Sequence, residues 1–76
     1  MRSQLPRKIR QLKADLRSAG FVEDTDAGKG SHTSWIHPND PANKVLFSGH
    51  DGADAPKYLE LQVRRALARA AKGFQP

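Results

Sequence analysis

The stretch SHTSWIHPNDPANKVLFS, residues 31–48, holds two segments of strand character around a cluster of turn formers. Ser31 to His37 carries Thr, Trp and Ile, and Lys44 to Ser48 carries Val, Leu and Phe, residue types that suit a pleated surface. Asn39-Asp40-Pro41-Ala42-Asn43 between them is dense in residues that favour turns, which predicts a hairpin loop joining the two strands. An antiparallel hairpin at mid-chain fixes the fold class once its flanks are read.

Upstream, Leu5, Ile9, Leu12, Leu16 and Ala19 recur at helical spacing, which predicts a first helix from Leu5 to Ala19. Ser3 is a candidate N-cap, Pro6 is tolerated in a first turn, and Gly20 suits the left-handed position that ends a helix. Phe21 to Thr25 reads as a short first strand, followed by the loop Asp26-Ala27-Gly28-Lys29-Gly30. Downstream, Gly49 to Ala55 is a second glycine- and aspartate-rich loop. It leads into a helix with Asp54 as its expected cap, Pro56 near its start and Gly73 at its end. Leu59, Val63, Ala66, Leu67 and Ala70 form the apolar stripe of that helix, and Tyr58, Gln62, Arg65 and Arg69 form a second stripe on its flank.

The expected order is therefore α-β-β-β-α in one α+β domain spanning residues 1–76, with a three-stranded antiparallel sheet and two helices on one face. Side chains alternate along a strand, so Phe21, Val45 and Phe47 cannot share a face with Val22 and Leu46. Both sheet faces then carry apolar groups, and the face without helices is a candidate partner surface.

A chain of 76 residues buries only about 60% of the surface exposed when unfolded. Chemistry is thus expected in a surface groove, on a large substrate. The absence of cysteine excludes disulfides, thiolate catalysis and cysteine zinc sites. No apolar run exceeds three residues, so neither a signal-peptide core nor a membrane span is expected.

The net charge is +5, spread unevenly. Residues 1–20 hold six basic and one acidic side chain, residues 21–56 two and six, and residues 57–76 five and one. Basic ends suit a polyanion such as RNA, because cations displace counterions condensed on phosphates, and they equally suit plain solubility. Arg10, Lys13 and Arg17 lie together along the flank of the first helix. With Tyr58, Arg65 and Arg69 on the second, they are the candidate RNA ligands, although the same side chains would serve a protein partner.

His32 and His37 sit five residues apart on one predicted strand and so point to opposite faces. With no cysteine and no His-x-x-x-His helix, this argues against a zinc site. No nucleophile-elbow pattern is present either. Metal-free RNA cleavage demands less, because the 2′-hydroxyl is the nucleophile and the protein need only move protons and stabilise charge on phosphorus. Imidazole titrates near neutrality and can do either proton transfer. Lys29 and the amides of the glycine loop could hold the phosphate. The same spacing also fits an ordinary strand histidine.

Gly20-Phe21 after a basic helix, Gly30-Ser31-His32, His37-Pro38, a short strand ending near His50 and a basic last helix occur in this order over nearly the whole chain. In this the sequence resembles the HicA toxins of bacterial type II toxin–antitoxin systems. The resemblance implies a double-stranded-RNA-binding-domain-like fold and an mRNA interferase, a cytoplasmic endoribonuclease that needs no metal or other cofactor. It also implies a HicB-type antitoxin that covers the active site. On this basis His32 is the catalytic histidine, Gly30 and Ser31 shape the site, and His50 is an auxiliary candidate. The competing expectations are a non-catalytic RNA-binding module of the same fold and a small protein that acts as half of a complex.

Overall fold

A computed structural model of the chain describes residues 7–24 and 32–72. Its elements run α1 (Ile9–Ser18), β1 (Val22–Asp24), β2 (Thr33–His37), β3 (Asp40–Phe47) and α2 (Lys57–Ala71). The three strands form one antiparallel sheet in the order β1-β2-β3. This is the α+β, α-β-β-β-α arrangement that the sequence predicts, consistent with a double-stranded-RNA-binding-domain-like fold.

The two apolar stripes meet the sheet in one core. Ile9, Leu12 and Leu16 of α1, Leu59, Val63 and Ala66 of α2, and Phe21, Trp35, Val45 and Phe47 of the sheet side are all buried. Each large side chain so buried contributes roughly 1.5–3 kcal/mol. The helices cover one face only. Trp35 pairs with Val45 and Thr33 with Phe47 on the inner side, whereas Val22 pairs with Ile36 and Ser34 with Leu46 on the outer side. Val22 and Leu46 are accordingly exposed, as strand alternation requires. No helix among the described residues is long and apolar enough to cross a membrane.

The turn from α1 into β1 fixes where the sheet begins. Gly20 sits at φ +97°, the Gly20 N–H donates to the Arg17 carbonyl and the Phe21 N–H to the Leu16 carbonyl, each at 3.0 Å. These are the two bonds of a Schellman motif. They place Phe21 beside Leu16 in the core and aim the chain along β1.

The N-terminus of α1 is built differently from expectation. Ser3, Leu5 and Pro6 lie outside the described residues, as do Thr25 and Gly73. The helix begins after Lys8, whose N–H is accepted by Gln11 Oε1. The Ile9 and Arg10 N–H groups donate to the carbonyls of Ala53 and Asp51, at 2.9 and 3.0 Å, and the Ala55 N–H donates back to the Arg7 carbonyl at 2.7 Å. The loop 49–55 thus caps α1 with its own backbone. Asp54, expected to cap α2, instead forms an isolated β-bridge and an ion pair with Lys8, and Pro56 takes the N-cap position of α2, which has no side-chain cap.

The hairpin also departs from the sequence. Of the expected loop Asn39 to Asn43 only Asn39 is turn: β3 starts at Asp40 and runs eight residues. His37 pairs with Asp40, so only Pro38 and Asn39 make the turn, and pairing resumes at Ile36↔Lys44 across an irregularity. Tertiary bonds hold these turn formers extended. Asp40 takes a two-pronged bond from Arg69 Nε and Nη2, and buried Asn43 donates through Nδ2 to the Ala66 carbonyl at 3.1 Å. Pro41 is tolerable because β3 is an edge strand.

Gly20 and Gly49 both occupy the left-handed region, at φ +97° and +95°. A Cβ at Gly20 would stand 3.3 Å from His37 Nε2, whereas one at Gly49 would meet nothing within 4 Å. Either Gly→Ala change is expected to cost about 1–2 kcal/mol in backbone strain, with Gly20→Ala the more costly because His37 must also move. Urea denaturation of the two variants checks this ranking; a Gly49→Ala protein less stable than Gly20→Ala would contradict it.

Candidate functional site

The β2–β3 ladder ends at the Thr33↔Phe47 pair. One step beyond it, His32 and Ser48 both line an open groove of about 540 Å³ on the β3 side of the sheet. Lys44, Leu46 and Phe47 of β3 form its strand wall, and Tyr58 and Gln62 of α2 form its helix wall. Lys44 and Leu46 alternate with buried Val45 and Phe47 along β3, so they project outward where the two helices do not cover them. Leu46 is 63% and Tyr58 60% exposed. A smaller groove of about 250 Å³ continues along the same strand–helix seam past Lys44, Gln62, Arg65 and Arg69.

Of the residues singled out in the sequence, His32 and Tyr58 come together in the first groove, and Arg65 and Arg69 line its continuation. Lys29, Gly30 and Ser31 lie outside the described residues. His50 is exposed and does not line either groove. It sits in the loop that caps α1, where its carbonyl accepts the Ala53 N–H. His37 is on the opposite side from the groove, packed edge-on against buried Phe21 with ring centroids 5.1 Å apart, and its Nδ1 accepts the Asn39 N–H. The two histidines are therefore separated as strand parity requires.

The α1 flank is engaged in the fold more than the sequence implied. Lys13 is only 13% exposed, paired with Asp51 and lying 5.6 Å over the Phe47 ring. Arg17 lies 5.1 Å over the Trp35 ring. None of Arg10, Lys13 and Arg17 lines the His32 groove. Arg69 is likewise committed to Asp40, whose hydrogen bond and charge raise the guanidinium above its ordinary range. Among the described residues no three His, Asp or Glu side chains group to hold a metal ion.

Lys44 and Gln62 line the candidate site, and the sequence did not single them out for it. Lys44 opens the predicted third strand and so shares a face with Leu46, but its place opposite α2 is not visible there. Gln62 is visible as one member of the Tyr58-Arg65 stripe, but nothing in the stripe says that β3 stands opposite.

A family model described as the HicA toxin of bacterial toxin-antitoxin matches residues 9–71. No curated protein matches the chain.

The Asp51 carboxyl is held below the usual aspartate range. The hydrogen bond from Lys13 is the largest cause, followed by Lys13's charge, while slight desolvation opposes them and the charges of Arg10 and His50 add to the lowering. A depressed folded value stabilises the fold above the unfolded value near 3.8, and this contribution is lost as pH falls through the folded value. Lys13→Met keeps the apolar contact with Phe47 and removes the charge. In that variant the Asp51 carboxyl resonance should titrate at higher pH, and the stability gap to wild type should narrow on acidification. An unmoved Asp51 titration would refute the pairing.

Proposed function

The chain belongs to the HicA toxin family and is the toxin of a toxin–antitoxin system; from this premise we propose that it is an endoribonuclease cleaving mRNA at the β3–α2 groove, with His32 moving the proton. The observation that carries this reading is the placement of His32, exposed at the end of a groove whose walls hold Lys44 and Tyr58. A small domain can act at an open groove because RNA brings its own nucleophile.

In this reaction the 2′-oxygen attacks the adjacent phosphorus, the bond to the 5′-oxygen breaks, and a proton passes from the 2′-hydroxyl to a base while another reaches the departing 5′-oxygen. The products are a 2′,3′-cyclic phosphate and a 5′-hydroxyl. His32 supplies one of these proton transfers. Lys44 contributes positive charge where the phosphate lies, and Lys29 with the backbone amides of Gly30 and Ser31, which precede His32 in the chain, are the further phosphate ligands of this proposal. Glycine there lets an RNA backbone come close. His50, at the α1 cap, acts at most on RNA that extends beyond the groove.

A HicB-type antitoxin laid over this open groove would block RNA entry by occupying Leu46 and Tyr58, two of the large apolar side chains that the fold leaves exposed. The substrate places the activity in the bacterial cytoplasm. Double-stranded RNA gripped without cleavage, or a role confined to a protein complex, would leave the exposed imidazole of His32 without a task.

His32 is exposed, so His32→Ala should leave the melting temperature unchanged. Cleavage of single-stranded RNA in excess EDTA should fall by about 100-fold or more, the scale of a lost general acid or base. Product ends identified by mass spectrometry should be cyclic phosphate or its hydrolysis product. Undiminished cleavage by His32→Ala would overturn the proposal, and salt-sensitive binding without cleavage by either protein would identify a non-catalytic RNA-binding module.

A further inference from the structure

Two exposed apolar side chains and three cations along one seam call for a common occupant. Leu46 of β3 and Tyr58 of α2 both line the first groove, and both are more than half exposed. Lys44 and Gln62 line this groove and also the next one, which continues to Arg65 and Arg69. The two grooves are therefore one seam between β3 and α2 that starts at His32 and ends where Asp40 holds Arg69.

An occupant that fits must offer flat apolar faces next to Tyr58 and Leu46 and negative charge at intervals beside Lys44 and Arg65. A single strand of nucleic acid has this pattern, with unstacked bases on one side and phosphates on the other. A duplex does not, because its base faces are stacked inside and its outer surface offers only backbone and groove edges. The α1 flank, by contrast, has Lys13 nearly covered and paired to Asp51 and Arg17 lying over Trp35.

Resting on the proposed ribonuclease reading, we infer that the β3–α2 seam is a single-strand track leading away from the cleavage site, with Tyr58 as the base-stacking platform and Lys44 and Arg65 as phosphate ligands. Tyr58 sits in the first turn of α2, with its ring exposed to solvent. Lys44 lines both grooves, so its charge serves the scissile phosphate and the first phosphate of the track. Gln62, on the same helix face one turn beyond Tyr58, presents donors and an acceptor to a base edge. Arg69 ends the track because Asp40 already takes both prongs of its guanidinium.

Arg64 provides the control. It is the neighbour of Arg65 on α2 but lines a separate cleft with Arg7, Asp15 and Glu60. Removing it changes net charge by the same amount without touching the seam.

The test is fluorescence anisotropy with a short, labelled, single-stranded 2′-O-methyl RNA, which cannot be cleaved because the attacking oxygen is blocked. Tyr58→Ala should weaken binding about tenfold, and Tyr58→Phe should restore it. Lys44→Ala and Arg65→Ala should each weaken binding and lower the salt slope by about 0.7, whereas Arg64→Ala should change little. His32→Ala should still bind, so a failure of cleavage and a failure of the track are read separately. Equal losses for Arg64→Ala and Arg65→Ala, or unchanged binding by Tyr58→Ala and Lys44→Ala, would overturn the track even with cleavage intact. A labelled duplex that binds as tightly as the single strand and loses as much with Tyr58→Ala would overturn it too.

Discussion

Three backbone hydrogen bonds between loop 49–55 and the start of α1 are what the rest of the structure depends on. The Ile9 and Arg10 N–H groups need partners because the first turn of any helix has none of its own. Here those partners are the carbonyls of Ala53 and Asp51, and the Ala55 N–H returns the bond to Arg7. The loop follows Ser48 directly and precedes Tyr58, and both of those residues line the His32 groove. Capping α1 therefore also sets the gap between the end of β3 and the start of α2. The Lys8–Asp54 and Lys13–Asp51 pairs reinforce the same junction from the side. They are exposed enough on their acidic side that each adds little, in line with the roughly 0–1 kcal/mol of surface ion pairs.

The fold was legible where a single element carries its own period. The apolar stripes of both helices appear buried as their spacing implies, and Gly20 takes the left-handed angle that a helix end requires. What the sequence hid was decided by partners far along the chain. Asp54 has the chemistry of a helix cap, yet Lys8 claims it from 46 positions away. Asp40 and Asn43 have turn propensity, yet Arg69 and the Ala66 carbonyl hold them in a strand. In each case a long-range bond outweighs a local preference worth a few tenths to about one kcal/mol.

The candidate site was legible only in part. His32 could be singled out because Gly30 and Ser31 precede it in a recognisable motif, and strand parity already separated it from His37. Its neighbours could not be read, because Lys44 and Tyr58 are 14 positions apart and meet only through the packing of α2 on β3. Charge was the least informative signal. Counting cations pointed to both helices, but several of those cations are spent on Asp51, Trp35 and Asp40. The seam keeps Lys44 and Arg65 facing its grooves, so location along the sheet edge matters more than the total of +5.

The central claim is that RNA lies in the β3–α2 seam with His32 at its end, and mapping of amide and side-chain chemical shifts tests it most directly. Titration with an uncleavable single-stranded RNA should move resonances of His32, Lys44, Leu46, Tyr58, Gln62 and Arg65 in a saturable way, while those of Arg7, Glu60 and Arg64 stay in place. Shifts confined to Arg10, Lys13 and Arg17 of α1, with the seam unmoved, would contradict it.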